Sequence, residues 1–259
     1  METTVRKPFQ GIMNIVRFNW HFYVISIMAL LVIRLALPFL NQAFQFLALF
    51  LLVSISATTL ISLLVSLYVY DLSGLYKFKW MNEIQPNDGK NERLKIVNIN
   101  AGFDETSSLI QQKFLNSELI VLDFYAEEIH TEVSIKRARK AYPPFPDTQT
   151  VTTSQLLLES ETVDLVFLIF SAHEIREEQE RVAFLNETKR ILKPDGKIIL
   201  IEHLQDLPNF IAYNIGFFHF HSLKTWKTAF QKANLEITSN QTLNPFVHRI
   251  TLQKDGNTP

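Results

Sequence analysis

Between residues 18 and 70 the chain carries one permanently charged side chain, Arg34. A helix rises about 1.5 Å per residue and the hydrocarbon core of a bilayer is about 30 Å thick, so this stretch is too long for one crossing and suits two. Pro38, Asn41 and Gln42 interrupt it near the middle, which predicts apolar helices over 21–39 and 43–70. The competing reading is a buried helical hairpin in a soluble oligomer. Such a hairpin normally shows a polar face at helical period, and little of one is visible here.

The flanks set an orientation. Arg6, Lys7 and Arg17 precede the first apolar segment, Lys77 and Lys79 follow the second, and the short connection between them has neither Lys nor Arg. The positive-inside rule then places both ends, and everything downstream, in the cytoplasm. A cleaved signal peptide fits poorly, because the apolar stretch is several times longer than a signal core and no small-residue cleavage site precedes its second half. Arg34 is expected to snorkel to the outer interface or to pair within the membrane. Trp20, Tyr23, Tyr68 and Tyr70 stand where interfacial aromatics belong.

The rest of the composition narrows the function. A formal net charge of −1 with no long basic run disfavours a nucleic-acid partner. The absence of cysteine excludes disulfides, thiolate catalysis and Cys-based zinc sites. Residues 1–81 form the expected hairpin unit, 82–94 a polar, turn-rich linker, and 95–259 a single domain.

That domain alternates strand and helix. Short apolar runs at 95–100, 119–124, 163–170 and 197–202 read as strands, and 148–152 as a weaker one. Helices are expected at 107–115, 131–141, 154–160, 177–192 and 222–233, and a final strand pair at 236–242 and 247–253. Continuous apolar strands separated by helices argue an α/β fold with a parallel sheet covered on both faces. In such a sheet ligands bind beyond the carboxyl ends of the strands. The candidates are therefore residues 98–104, Asp123 to Tyr125, Ser171 to Arg176, and Glu202 with His203. Asp123, ending the second strand, is either an acceptor for two ribose hydroxyls or a solvated strand end.

Three segments together resemble class I S-adenosylmethionine-dependent methyltransferases, the likeness running from about residue 95 to 254. ETKRILKPDGKIILI at 187–201 is similar to that family's helix, Leu-Lys-Pro-Gly-Gly turn and fifth strand. VDLVF at 163–167, followed by Ser171-Ala172-His173-Glu174, resembles the fourth strand and its exit. KIVNINAGFDETS at 95–107, with LIVLDFY at 119–125, resembles the donor loop and second strand. The resemblance implies a Rossmann-like, mostly parallel sheet with an antiparallel final strand. It also implies S-adenosylmethionine as cofactor, held by Asn98, Asn100, Ala101, Gly102, Asp104, Glu105, Asp123, Phe124 and Ser171. Here the loop departs from the family pattern: Asn98 stands at its acidic position, Asn100 and Asp104 at two glycine positions, and only Gly102 remains. Asn98 is expected near the methionyl part of the donor, and Asp104 or Glu105 on its ammonium. The adenine contact is unassigned, with Thr153 and Ser154 as candidates.

Methyl transfer from a sulfonium needs proximity and, for a hydroxyl or carbon acid, removal of a proton. His173 is the candidate base or acceptor orienter, with Glu174 beside it, or else a helix-start histidine bonded to backbone. Arg176 either grips an anionic acceptor group or pairs with Glu180. His203 and His219 complete the acceptor side. No metal-ligand spacing links His173, His203, His219 and His221, and no metal is expected. The nearly uncharged aromatic run at 207–221 is core packing, an apolar lid, or a surface resting on a bilayer. An anchored methyltransferase with a small, hydrophobic or lipid-like acceptor is the favoured reading. The alternative is a catalytically inactive methyltransferase-like binding or scaffold protein at the membrane. A nicotinamide enzyme would need G-x-G-x-x-G, which is absent.

Overall fold

The computed structural model describes residues 6–84, 93–129 and 132–256. Residues 85–92 of the expected linker lie outside that set. Helix α1 (Gln10–Phe18) leads into α2 (Trp20–Ala36), and a 3₁₀ turn at Leu37–Phe39 connects to α3 (Gln42–Leu67). The predicted break is there for the predicted reason: Pro38 opens the turn, and the Asn41 side chain caps α3 by accepting from Phe44 N at 3.2 Å. Two segments, Trp20–Phe39 and Gln42–Lys77, are long and apolar enough to cross a membrane. Met28, Leu35, Phe46 and Val53 are among the large apolar side chains they leave exposed.

Beyond α3 the helix widens into a π-helical turn, Tyr68–Leu72. The extra residue swings Asp71 onto the start of α1, where its carboxylate accepts from Gly11 N at 2.9 Å and Ile12 N at 2.8 Å. A carboxylate there satisfies orphan amides and complements the helix dipole. The crossing is tight enough to require glycine, since a Cβ on Gly11 would fall 2.4 Å from Tyr70 Cβ.

The remaining chain builds β1 (Leu94–Asn100), α4 (Ser107–Lys113), β2 (Ser117–Asp123), α5 (Val133–Ala141), β3 (Gln149–Thr150), β4 (Val163–Ile169), α6 (Glu178–Ile191) and β5 (Leu192–Glu202). It closes with α7 (Leu207–Tyr213), α8 (Leu223–Lys232), β6 (Leu235–Asn244) and β7 (Val247–Lys254). The seven strands form one sheet in the order β3-β2-β1-β4-β5-β7-β6. Strands β1 to β5 pair in parallel, and β7 runs antiparallel to both β5 and β6. This is the expected Rossmann-like sheet with its antiparallel finish. Strand order reverses between β1 and β4, which puts the ligand crevice at their carboxyl ends.

Each face of the sheet has its own core. One packs Val97, Leu122, Val166 and Leu200 against Phe184 and Leu185 of α6 and Trp226 and Phe230 of α8. The other packs Ile96, Leu165, Phe167 and Ile199 against Val69, Leu75, Phe78, Trp80, Met81 and Ile84. The second core alters the expected organisation, because residues expected to end the hairpin unit and begin the linker instead cover the sheet. Buried Arg249 of β7 pins this cover, donating to Trp80 O at 2.8 Å and to Glu83 at 2.7 Å. The helix expected over 154–160 does not form. Leu157 has φ 52, in the left-handed region, and a buried Leu156 is held by its amide to Glu187 Oε2 at 3.2 Å.

Candidate active site

The expected donor side grows from the end of β1. Asn98 is buried and donates to Thr106 Oγ1 at 3.0 Å and Ser107 Oγ at 2.8 Å, so it braces the turn into α4. Asn100 donates to Leu122 O at 3.2 Å and accepts from Gly102 N at 3.1 Å, closing an Asx turn. Gly102 takes φ +93, and a Cβ there would fall 2.9 Å from the Tyr125 ring, which explains why this glycine survives in a glycine-poor loop. Asp104 caps α4 through one oxygen, accepting from Thr106 N at 2.8 Å and Ser107 N at 2.9 Å. Its other oxygen, Oδ2, is buried and has no hydrogen-bond partner among the described residues.

Asp123, the neighbour of Asn100 across the β1–β2 register, accepts from Tyr125 N at 2.9 Å through Oδ1. Oδ2 carries the Arg139 guanidinium, which also lies 4.5 Å from the Tyr125 ring centre. Glu105 faces the N-terminal segment, where Gln10 and Asn14 donate to its Oε1 at 3.1 and 2.9 Å and Arg6 lies 3.6 Å from Oε2. Burial raises its pKa against the opposing pull of those donors. Phe124 and Ser171 are both buried. Phe124 packs on Phe184 at 5.3 Å in the core, and Ser171 donates to Ile99 O at 2.8 Å, tying β4 to β1. Thr153 hydrogen-bonds Glu180 at 2.7 Å.

The acceptor side gathers at the ends of β4 and β5. His173 Nδ1 lies 2.6 Å from Glu202 Oε2, and its Nε2 lies 3.2 Å from Glu174 Oε1. Burial disfavours the charged imidazole, yet the Glu202 and Glu174 carboxylates prevail and raise its pKa to about 10. Held protonated, His173 is a donor and an orienter and not a ready base. Burial also opposes ionisation of Glu174, and hydrogen bonds from His173 and His219 still hold its carboxyl well below the usual range. His219 Nε2 is 3.0 Å from Glu174 Oε1, and its Nδ1 is 3.1 Å from Glu132 Oε1. Arg176 donates to the His219 backbone oxygen and touches its ring; its link is to His219 and not to Glu180.

His203 is buried among aromatic rings, stacked 4.9 Å from Phe220 and 5.0 Å from Phe170. Its Nδ1 faces Phe246 O at 2.8 Å and its Nε2 faces the Tyr70 hydroxyl at 2.9 Å. A carbonyl only accepts, so Nδ1 bears the proton and Nε2 accepts from Tyr70. Burial depresses this imidazole to a pKa of about 4.

One cavity of about 1000 Å³ joins the two sides. Asn98, Ala101 and Glu105 line its donor end, and His173, Glu174, His203 and His219 its acceptor end. Its roof comes from the apolar hairpin, through Phe22 and Tyr23 of α2, Thr58, Ser62 and Ser66 of α3, and Tyr70. Sequence reasoning missed this wall, and it missed Glu132, Arg139 and Tyr70. The Thr58, Ser62 and Ser66 positions, four residues apart, are a polar stripe that helical periodicity could have revealed.

Residues 98–200 match a family model described as "Methyltransferase domain". That segment is similar to methyltransferase domains. Among solved structures with a similar fold, a SAM dependent methyltransferase from Aquifex aeolicus shares 17% identity, with 70% of this chain and 93% of that one covered and a TM-score of 0.47. A SAM-dependent methyltransferase from Methanosarcina mazei shares 16%, covering 64% and 94%, with a TM-score of 0.47. The PH0226 protein from Pyrococcus horikoshii OT3 shares 14%, covering 69% and 89%, with a TM-score of 0.48. No curated protein matches the chain. The methyltransferase domain model begins at Asn98 and ends within β5, so it contains the donor loop, Asp123 and the His173-Glu174 pair, and excludes the hairpin, His203 and His219.

Proposed function

We propose that this protein is an S-adenosylmethionine-dependent methyltransferase whose hairpin lies in the bilayer, with the catalytic domain on the cytoplasmic side. Its acceptor is a small hydrophobic or lipid-like molecule that partitions into the membrane. The observation that carries this reading is the cavity wall: the two helices apolar enough to enter a membrane also enclose the space beside the donor loop and His173. A binding space walled by a membrane hairpin favours an acceptor drawn from the lipid phase. The face of α7 and the turn after it agrees, with Ile215 85% and Phe218 69% exposed. Each such side chain gains about 1.5–3 kcal/mol on leaving water.

The donor loop fits the cofactor on the chemistry of its own atoms. The unpartnered buried Oδ2 of Asp104 is a seat for the donor's ammonium group, since a buried carboxylate oxygen left unpaired is costly. Asp123 would take the ribose hydroxyls once Arg139, whose side chain is 40% exposed, swings away. Bound there, S-adenosylmethionine supplies an electrophilic methyl group on a sulfonium. Gly102 lets the backbone approach closely, and Asn98 keeps the loop in shape. His173 with Glu174 orients the acceptor.

The test is to incubate the protein in its native membranes with methyl-labelled donor and to extract the lipids. Label in a lipid-extractable product is expected. Label confined to water-soluble molecules overturns the acceptor assignment, and failure of the detergent-purified protein to bind donor overturns the enzyme reading in favour of a binding or scaffold role.

A further inference from the structure

We propose that His173, Glu174 and His219 form a site for a divalent first-row transition-metal cation of the zinc class. The three side chains come from two places far apart in the chain, and their ligand atoms lie within 4.8 Å of one another. His173 Nε2 and His219 Nε2 approach the same oxygen, Glu174 Oε1, at 3.2 and 3.0 Å. Ligands bound to one metal at about 2.0–2.1 Å stand roughly 2.9–3.4 Å apart, so both imidazole–carboxylate separations already match those of a coordination sphere. Two imidazoles and one carboxylate suit such a cation and leave coordination positions open.

The surroundings are built to match. Each imidazole turns its other nitrogen to a second carboxylate, Glu202 on His173 Nδ1 at 2.6 Å and Glu132 on His219 Nδ1 at 3.1 Å. Carboxylate oxygens accept, so the ring nitrogens that face them carry protons in the metal-free protein, and a cation entering between Glu174 Oε1 and the two Nε2 atoms would take the place of the Nε2 protons. Carboxylate-backed histidines are the usual outer layer of a metal site, where they fix the tautomer and raise ligand basicity. Glu132, Glu174 and Glu202 also place three carboxylates around the two rings. Arg176 is exposed, and its guanidinium, which touches His219 Nε2 at 2.9 Å and the His219 backbone oxygen, would be displaced from the ring by a bound cation.

His173, Glu174 and His219 all border the large cavity, so the open positions face the space where an acceptor would lie. A metal there would take an oxygen atom of the acceptor as a further ligand and orient it toward the donor end. That use rests on the methyltransferase reading. The site itself rests only on the cluster's geometry.

The test uses the full chain, purified in detergent through a tag without histidine, stripped with a chelator and titrated with Zn²⁺ or Co²⁺. One equivalent is expected to bind with micromolar affinity or tighter, and Co²⁺ to give visible absorption of a nitrogen-oxygen site. His219→Ala and Glu174→Gln should abolish binding, and Glu202→Gln and Glu132→Gln should weaken it about 10–100-fold. His248→Gln, elsewhere in the fold, should change nothing. Failure of the stripped wild-type protein to bind either ion overturns the site, as does undiminished affinity in His219→Ala. Gel filtration confirms that each variant is folded. Donor titration of the same samples reads the methyltransferase assignment separately, so metal binding without donor binding would overturn that assignment and leave the site standing.

Discussion

The Tyr70 hydroxyl donates to His203 Nε2 across 2.9 Å, joining the end of the apolar hairpin to the carboxyl end of β5. This bond and the Asp71 cap on α1 hold the cavity roof at a fixed place over the sheet. Tyr70→Phe leaves a buried ring nitrogen unpaired. We expect a loss of about 1–3 kcal/mol of stability, read as a lower thermal midpoint in detergent. An unchanged midpoint would show that hairpin and domain are coupled through packing alone.

Asp71→Ala removes both backbone contacts at the start of α1. A loss of about 1–2 kcal/mol is expected, by analogy with other helix caps. Limited proteolysis should then cut within residues 6–18 before the domain itself is cleaved, and uncut chains would argue that Asn14 and Glu105 suffice to hold α1.

On the proposed reading, Arg139, paired with Asp123, competes with the donor for that carboxylate. Arg139→Ala should tighten S-adenosylmethionine binding several-fold, and Asp123→Ala should weaken it by about tenfold or more, each measured by calorimetric titration. One good charge-assisted bond corresponds to about 1.5–3 kcal/mol, which sets that scale. His173→Ala should leave donor affinity intact and lower turnover. Equal loss of affinity in Asp123→Ala and His173→Ala would overturn this division of roles.

The depressed pKa of His203 carries a sign. In the unfolded chain the imidazole takes a proton near pH 6.5, whereas in the folded protein burial delays protonation to about pH 4. The unfolded state therefore binds more protons across that window, and stability falls as pH drops from about 6.5 toward 4. His203→Gln should flatten that part of the thermal-midpoint profile relative to wild type. Parallel profiles for the two proteins would contradict the assignment.

The exposed apolar face after α7 should matter only for the acceptor. The double substitution Ile215→Ser and Phe218→Ser is expected to reduce turnover on membrane-embedded acceptor several-fold and to leave donor binding unchanged. A matching loss of donor affinity would place this segment in the donor site instead.

Much of this architecture could be read along the chain, because it follows from local chemistry. The apolar run over 18–70 demands burial or lipid wherever it sits, Pro38 and Asn41 break and cap helices through their own geometry, and β-branched runs such as 163–170 pair as strands. The positions of the loop after β1 and of the acidic residue ending β2 are legible the same way, since they follow directly from the strands that carry them. What the chain could not disclose is any relationship set by packing between distant segments. Residues 75–81 read as the end of the hairpin unit and 82–84 as the start of a linker, and only docking onto Ile96, Phe167 and Ile199 makes Leu75, Phe78, Trp80, Met81 and Ile84 core. Phe124 and Ser171 lie at the right strand ends, but side-chain direction, which alternates along a strand, aims Phe124 into the core. His173 and His219 show no ligand spacing in sequence, and it is the return of the chain after β5 that sets both against Glu174. The amino-acid sequence determined that this protein has an apolar hairpin and a methyltransferase-like sheet, because helix, strand and hydrophobicity are local properties. Only the tertiary structure decided that the two share one cavity, because that depends on a π turn, an aspartate and a tyrosine meeting partners more than fifty residues away.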